Sequence, residues 1–455
     1  MSNLPKNWEY GKLSQAAHVV RGITFPAGEK RNDLAHGYVC CLRTTNVQQK
    51  LEWDDVYYVP TSYVKRDEQL VREGDVLMSM ANSYELVGKV ARAINVPQPA
   101  AFGAFLAAVR PTHAIDGGYL YHFLRSSEVQ SKLREGSSQT TNIANISAGK
   151  LSELTVPLAP WNEQKRIADK LDSVLARVDA VNTRLTRVAS ILKRFRQSVL
   201  AAATSGRLTE DWRVLNSTSK PWRKATLGDL IEEMRNGLAA KPDENPEGRK
   251  ILRISAVRPG FLDTNDHRYL KTDESSAKLY ELRKGDLLFT RYNGSLDYVG
   301  VCAMVSEDLP GYVYPDKLIR VRTKAGVALP KFIELVSSAA EARQQIEGYV
   351  KSSAGQKGIS GGNLKTLHIA VPPVEEQTEI VRRVETLFAF ADRLEARLQT
   401  AQTATERLTP ALLAKAFHGE LVPQDPNDEP ASELLRRLQQ EGPSTSAKRG
   451  RKSAA

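Results

Sequence analysis

Cysteine is scarce: the chain has three in 455 residues, two of them adjacent at Cys40 and Cys41. That leaves no disulfide framework and no CxxC pair for zinc, and makes a reducing cytoplasm the expected compartment. Long apolar runs are also missing. No stretch approaches the ~18 residues of a membrane span, and MSNLPKNWEY at the start lacks the apolar core of a secretory signal, so neither membrane insertion nor export is expected. Catalytic signatures are absent too. There is no GxxxxGK[ST] phosphate cradle, no GxGxxG after a strand, no NPPF or DPPY, no HExxH and no GxSxG. GQKGISGG at 355–362 is glycine-rich but has no Lys–Ser/Thr pair. The seven histidines are scattered without metal-ligand spacing. The paired acids Asp54–Asp55 and Glu232–Glu233 read as surface charge. These absences favour binding over catalysis.

Charge and duplication are what the chain does have. Lys and Arg number 64 against 53 Asp and Glu, a formal net charge of +11 that attracts polyanions. Part of the excess lies in the final GPSTSAKRGRKSAA, which reads as disordered. The duplication is the stronger signal. SAGKLSELTVPLAPWNEQKRI at 147–167 returns as SGGNLKTLHIAVPPVEEQTEI at 360–380, and the offset of 213 residues holds without a gap to Gly206 and Gly419. A period this long denotes two copies of a whole module, not a solenoid.

Each copy begins with a strand-rich globular part. Trp8 matches Trp222, the strand-like CLRTTNV at 41–47 matches ILRISAV at 251–257, and LVREGDVLMSMAN at 70–82 matches ELRKGDLLFTRYN at 281–293. Gly74–Asp75 and Gly285–Asp286 read as turns entering buried strands. Each copy then runs into a long helix, expected over 162–203 and 375–416, with NEQ and EEQ placing acids in the first turn and Gly206 and Gly419 as stops. The first helix carries Ile167, Leu171, Val174, Val178, Val181, Leu185, Val188, Leu192, Phe195 and Val199 at alternating steps of four and three. The second repeats the stripe from Ile380 to Leu412, with Thr405 its one polar member. Such a stripe predicts a coiled-coil seam. The expected fold is α+β: two mixed α/β domains joined by two long helices pairing as an antiparallel coiled coil, with pseudo-twofold symmetry. The boundaries read as 1–160 and 216–373 for the globular domains, 161–215 and 374–425 for the helical regions, and 426–455 for a basic, disordered tail.

Two readers on one rod suit a duplex, which offers two half-sites. Because the two modules differ in sequence, the target should be bipartite and asymmetric. Polar loop residues are the candidate readers, since Asn and Gln suit adenine edges while Lys and Arg suit guanine or phosphate. Before the long helices lie Gln139, Thr140, Thr141, Asn142 and Asn145 in the first copy, and Lys351, Ser352, Gln356 and Lys357 in the second. After the Gly–Asp strands lie Ser79, Asn82 and Tyr84, then Arg291, Tyr292 and Asn293. After the earlier strand lie Arg43, Thr45 and Asn46, then Arg253 and Ser255.

The doubled motif carried by Leu151, Leu154, Val156, Pro160, Glu163 and Gln164, and again by Leu364, Leu367, Ile369, Pro373, Glu376 and Gln377, resembles the specificity (S) subunits of type I restriction–modification systems. The resemblance runs to about residue 425. It implies that the globular parts are target-recognition domains for double-stranded DNA. It also implies that the chain is a non-catalytic subunit that binds no cofactor itself. Two modification subunits would dock on the helices and bring S-adenosylmethionine-dependent adenine N6-methylation. Restriction subunits would add ATP- and Mg2+-dependent translocation and cleavage. Arg166, Lys170 and Arg177, with Arg382, Arg383 and Arg393, are candidate docking residues off the seam. A stand-alone DNA methyltransferase or nuclease with unrecognised motifs, or a coiled-coil assembly protein without DNA binding, are the alternative readings.

Overall fold

The structure, a computed structural model, describes residues 4–139, 143–216, 220–353 and 355–441. The chain forms two compact units. One comprises the residues up to Arg184 together with those from Ala401 onward, and the other comprises Leu185–Thr400.

The first unit is built on a four-stranded antiparallel sheet in the order Ala17–Arg21, Leu106–Pro111, Val76–Ser79, Val90–Arg92. A three-stranded sheet, Tyr57–Pro60, Tyr38–Leu42, Ala100–Phe102, packs beside it, and Glu9–Lys12 pairs with Thr155–Leu158. The second unit repeats this order: Ile231–Asn236, Leu318–Thr323, Leu287–Thr290, Cys302–Met304 in the larger sheet. Its smaller sheets are His267–Leu270, Arg249–Leu252, Tyr312–Val313, and Arg223–Thr226 with His368–Val371. In each unit two short helices follow the sheet, Gly117–Leu124 and Ser127–Glu135 in one, Pro330–Ser337 and Ala340–Tyr349 in the other. The sequence repeat is therefore a repeat of topology. The hairpin Val257–Arg258/Phe261–Leu262 in the second unit stands where the first has the antiparallel bridge between Val47 and Leu51.

The Gly–Asp turns have the expected form. Gly74 and Gly285 take φ of +85° and +86°, which glycine adopts at no steric cost. The following aspartates are buried. Asp75 accepts two hydrogen bonds from Arg110 at 2.7 Å, and Asp286 accepts from Arg322 at 2.6 and 3.2 Å. Each also caps the turn, accepting the backbone N–H of Arg72 or Arg283. The strand expected at 41–47 stops at Leu42 instead. A 3-10 turn, Thr44–Asn46, follows because the Asn46 carboxamide holds the backbone at Arg43, Glu52 and Asp55.

The long helices are Trp161–Thr204 and Val374–Phe417, 44 residues each and so about 66 Å long. Gly206 and Gly419 end them with φ of +78° and +75°. Inside the second unit their pairing is antiparallel. Val199 clusters with Ile380 and Val384, while Leu192 clusters with Ala391 and Leu398. Arg196 reinforces this pairing by reaching Asp392 at 2.6 Å and Glu395 at 3.0 Å. Burying each such leucine is worth roughly 1.5–3 kcal/mol. The seam departs from the heptad reading at Val181 and Val188, which are exposed, whereas Leu175 and Leu200 are buried. A helix with 3.6 residues per turn drifts relative to a seven-residue repeat, so the apolar stripe rotates off the contact line.

The expectation of a disordered tail from 426 needs correction. Residues Ala431–Glu441 form a helix, with Ala431 and Leu435 in the core of the first unit. Asp428 is buried against Arg166 at 2.6 Å, and the Ala431 N–H donates to Asn7 O at 3.0 Å. Residues 442–455 of that tail lie outside the described residues. Among the described residues no helix is long and apolar enough to cross a membrane.

Candidate nucleic-acid interface

The long helices hold their globular domains through the Glu–Gln pair at their starts. Glu163 accepts the Trp8 indole N–H at 3.1 Å and the Gln424 amide at 2.6 Å. Glu376 accepts the Trp222 indole N–H at 3.0 Å, together with Thr209 at 2.7 Å and Arg213 at 2.5 Å. Gln164 accepts the Asp116 N–H at 2.8 Å and donates to Ala114 and Ala159 carbonyls. Gln377 does the same with Leu329, Val327 and Pro372. Asp116 and Leu329 are the residues that cap the first short helix of each unit. These buried side chains thus tie strand, short helix and long helix together. Burial holds the Glu163 carboxyl above the usual carboxylate range. The sequence reading gave these acids only a dipole role. The signal it passed over was the repetition of Trp, Glu and Gln together in both copies.

Beyond the Gly–Asp strand each unit turns into a small three-stranded patch. In the first, Ala81–Asn82 pairs with Ala144–Asn145, which pairs with Ser138–Gln139. In the second, Tyr292–Asn293 pairs with Gln356–Gly358, which pairs with Lys351–Ser353. Two of the three sequence-predicted clusters are therefore brought together in each unit. Gln139, Tyr84, Lys351, Ser352 and Gln356 are exposed there; Asn82, Asn145, Tyr292, Asn293 and Lys357 are half-buried. Thr140, Thr141 and Asn142 lie outside the described residues.

The backbone links this patch to a neighbouring turn. The Met80 N–H donates to Phe105 O at 2.8 Å, and the Met80 carbonyl accepts the Ile146 N–H at 2.8 Å. In the second unit the Arg291 N–H donates to Lys317 O at 2.8 Å, and the Arg291 carbonyl accepts the Ile359 N–H at 3.0 Å. Arg291, Tyr292, Lys351 and Gln356 line a cleft of about 460 Å³. Arg253, Ser255, Arg268, Asp316 and Lys317 line another of about 390 Å³. The Arg291–Lys317 backbone bond joins the two linings, so the third cluster adjoins the others in this unit.

Two predicted readers are removed by burial. Ser79 is 0% exposed and accepts from Asn82, and Asn46 is 2% exposed with its carboxamide spent on the backbone. Two arginines are engaged within the chain. Arg43 pairs with Asp55 and stacks over the Tyr57 ring at 4.1 Å, and Arg253 pairs with Glu244 at 2.9 Å. The Ser255 hydroxyl is bonded to Asp266, while Thr45 is exposed. Of the predicted docking residues, Arg166 is committed to Asp428, Arg383 to Asp211 and Glu379, and Arg382 to Glu379. Those two arginines pull the Glu379 carboxyl down to about 2. Lys170, Arg177 and Arg393 are exposed.

Glu233, expected as surface charge, sits among Arg235, Arg320 and Arg322 at 2.8, 2.9 and 3.0 Å. Every acidic oxygen of that group is occupied by structural partners, which suits a brace of the sheet rather than a reacting centre. The three cysteines are buried and free; burial pushes Cys40 up to about 11 and Cys41 up to about 12, far from a reactive thiolate. Among the described residues no group of three or more His, Cys, Asp or Glu could hold a metal ion.

Comparison with known proteins matches this arrangement. Residues 5–189 and 219–402 each match the family described as type I restriction modification DNA specificity domain. The chain is 41% identical to the type I restriction enzyme EcoKI specificity subunit of Escherichia coli strain K12, covering 92% of this chain and 90% of that protein. It is 36% identical to the StySPI specificity subunit of Salmonella potsdam over the same shares, 92% and 90%. In fold it is similar to the crystal structure of the HsdS subunit from Thermoanaerobacter tengcongensis, with a TM-score of 0.55, 16% identity, and coverage of 92% of this chain and 98% of that one. With both copies matching that one family and identities of 41% and 36% over nearly the whole length, the chain belongs to the family of type I restriction–modification specificity subunits.

Proposed function

We propose that each unit reads one half of an asymmetric, bipartite DNA target, and that the chain supplies the sequence choice while partner subunits supply the chemistry. One observation carries this reading. The same strand order in each unit ends in the same three-stranded patch, yet its equivalent places differ: Ser138, Gln139, Ala144 and Asn145 in one stand where Lys351, Ser352, Lys357 and Gly358 stand in the other, around the shared Asn82 and Asn293. A fixed scaffold with variable polar tips is what two readers of different sequences require, because base edges are distinguished by hydrogen-bond pattern. Tyr84, Thr45, Arg291, Tyr292 and Gln356 complete the proposed contact set. Ser79 and Asn46 support it from beneath.

The proposed partners are two modification subunits, carrying S-adenosylmethionine, and restriction subunits, carrying ATP and Mg2+. Lys170, Arg177 and Arg393 are exposed on the long helices and free to meet them. Membership of the specificity family favours this over a stand-alone nuclease or methyltransferase and over a coiled-coil assembly protein. The test is incubation of the purified chain with duplex DNA, S-adenosylmethionine, ATP and Mg2+, alone and after adding a modification subunit. No turnover alone, and methylation confined to one bipartite sequence with the partner, is expected. Turnover by the chain alone, or methylation without sequence preference, refutes the proposal.

A further inference from the structure

One position on the candidate surface changes its chemistry between the units while keeping its backbone place. In the first unit a turn closes with the Leu106 N–H donating to Gly103 O at 2.8 Å; in the second, Leu318 N–H donates to Pro315 O at 2.9 Å. The third residue of the turn is Phe105 in one and Lys317 in the other. Strand register confirms the equivalence. Ser79 pairs with Leu106 and Thr290 with Leu318, and the next residue of each Gly–Asp strand donates to Phe105 O or Lys317 O.

Phe105 is 65% exposed. Isolated exposed apolar residues are ordinary on a protein surface. This one has company of its own kind. Tyr84 and Ile143 are also exposed, two residues beyond Asn82 and one before its strand partner Ala144. The amides of Gln139 and Asn145, replaced by Ser352 and Gly358 at the equivalent places of the second unit, lie on the same patch. An A·T pair presents both complements in the major groove: adenine N6 and N7 for an amide, and the thymine methyl for an apolar group. The equivalent surface of the second unit carries Arg291, Lys317, Lys351 and Lys357, which suit guanine and phosphate oxygens.

We propose that Phe105 is a specificity-determining residue of the first unit, packing on thymine methyl groups of its half-site. Lys317 substitutes a charged contact at the same place in the second unit. This rests on the reading of the units as DNA readers. It names one apolar contact and its chemical partner.

The experiment uses the full chain assembled with its modification subunits and a duplex selected by that complex from a randomised pool. Thymines of the half-site that the first unit reads are replaced singly by deoxyuridine, which removes only the methyl. The wild-type complex is expected to lose about fourfold in affinity at one or more thymines, the worth of one buried methyl group. Phe105→Ala binds the parent duplex more weakly and no longer responds to the same replacement. Its thermal midpoint stays at the wild-type value, because the ring is exposed. Lys317→Ala retains the deoxyuridine response but lowers the slope of log affinity against log salt by about 1. A wild-type complex indifferent to every deoxyuridine, or a Phe105→Ala complex with wild-type affinity, overturns the assignment. A wild-type complex that selects no sequence at all overturns the DNA-reading role itself, a separate result.

Discussion

Trp8 donates its indole N–H to Glu163 at 3.1 Å across 155 residues of chain, and so fastens the start of the first reader to the first turn of its helix. Trp222 and Glu376 repeat the bond at 3.0 Å. Glu163 lies in a buried place, and its pKa is raised by that burial. The sign follows from proton counting. A raised folded pKa means the folded state holds the proton more tightly, so this group costs stability as pH rises from the unfolded carboxylate value to the folded one. Trp8→Phe removes a donor from the carboxylate and should raise that pKa further. The expected destabilisation is about 1–3 kcal/mol at neutral pH and smaller near pH 4. Urea unfolding of the two proteins at both pH values measures it, and equal losses at both would count against the buried charge as the cause.

His122 presents the opposite case. It is buried, with Nε2 at 2.8 Å from Asp172 on the long helix, and its Nδ1 has no hydrogen-bond partner. Burial lowers its pKa despite the carboxylate beside it. A depressed histidine pKa means the unfolded chain binds the proton first as pH falls. Stability should therefore drop below about pH 6.5, the ordinary histidine value. His122→Gln keeps an N–H for Asp172 without a titrating ring. Its stability should vary less between pH 7 and pH 5 than that of the wild type, as read from thermal midpoints.

The turn that carries Phe105 is clasped by Gly22. A Cβ on Gly22 would lie 2.3 Å from the carbonyl oxygens of Phe102 and Gly103, and one on Gly237 would lie 2.2 Å from Pro315 O. The obstruction is backbone, so it cannot rotate away. Gly22→Ala should displace the turn at a cost of about 1–3 kcal/mol and weaken binding through the first half-site only. Gly237→Ala should do so through the second only. Binding to duplexes altered in one half-site at a time separates the two effects.

The scaffold was legible in the chain because its signals are periodic or stereochemical. The stripe from Ile167 to Val199 specified a helix pair, and Gly74, Gly285, Gly206 and Gly419 specified turns and stops through their positive φ. The readers were less legible. Polarity nominated Asn46 and Ser79, but a polar side chain serves a buried backbone as readily as a ligand, and only packing separates the two uses. Phe105 is illegible for the converse reason: at the head of FLAAVRP, residues 105–111, it looks like the start of a buried strand, and the strand begins one residue later, at Leu106.

The same ambiguity hid the C-terminal helix, whose preceding PNDEP looks like solvent-exposed chain. Asp428 in that segment is 5% exposed as a side chain and is paired with Arg166, which holds its carboxyl below the usual range. A depressed carboxylate pKa gives stability that is present above the unfolded value and lost as pH falls through the folded one. Ala431 and Leu435 add apolar contacts, and the Ala431 N–H bonds to Asn7 O. Ending the chain at Asp425 should therefore destabilise the first unit by about 3–5 kcal/mol, from one lost leucine contact, one backbone bond and the lost Arg166–Asp428 pair. Ending it at Glu441 should cost less than about 0.5 kcal/mol. Arg166→Ala in the full chain should reproduce roughly 1–3 kcal/mol of the first loss, and that part should shrink below pH 4. Denaturant titrations of the three proteins decide this: equal stability of the two truncations would mean that the helix rests on the unit without holding it.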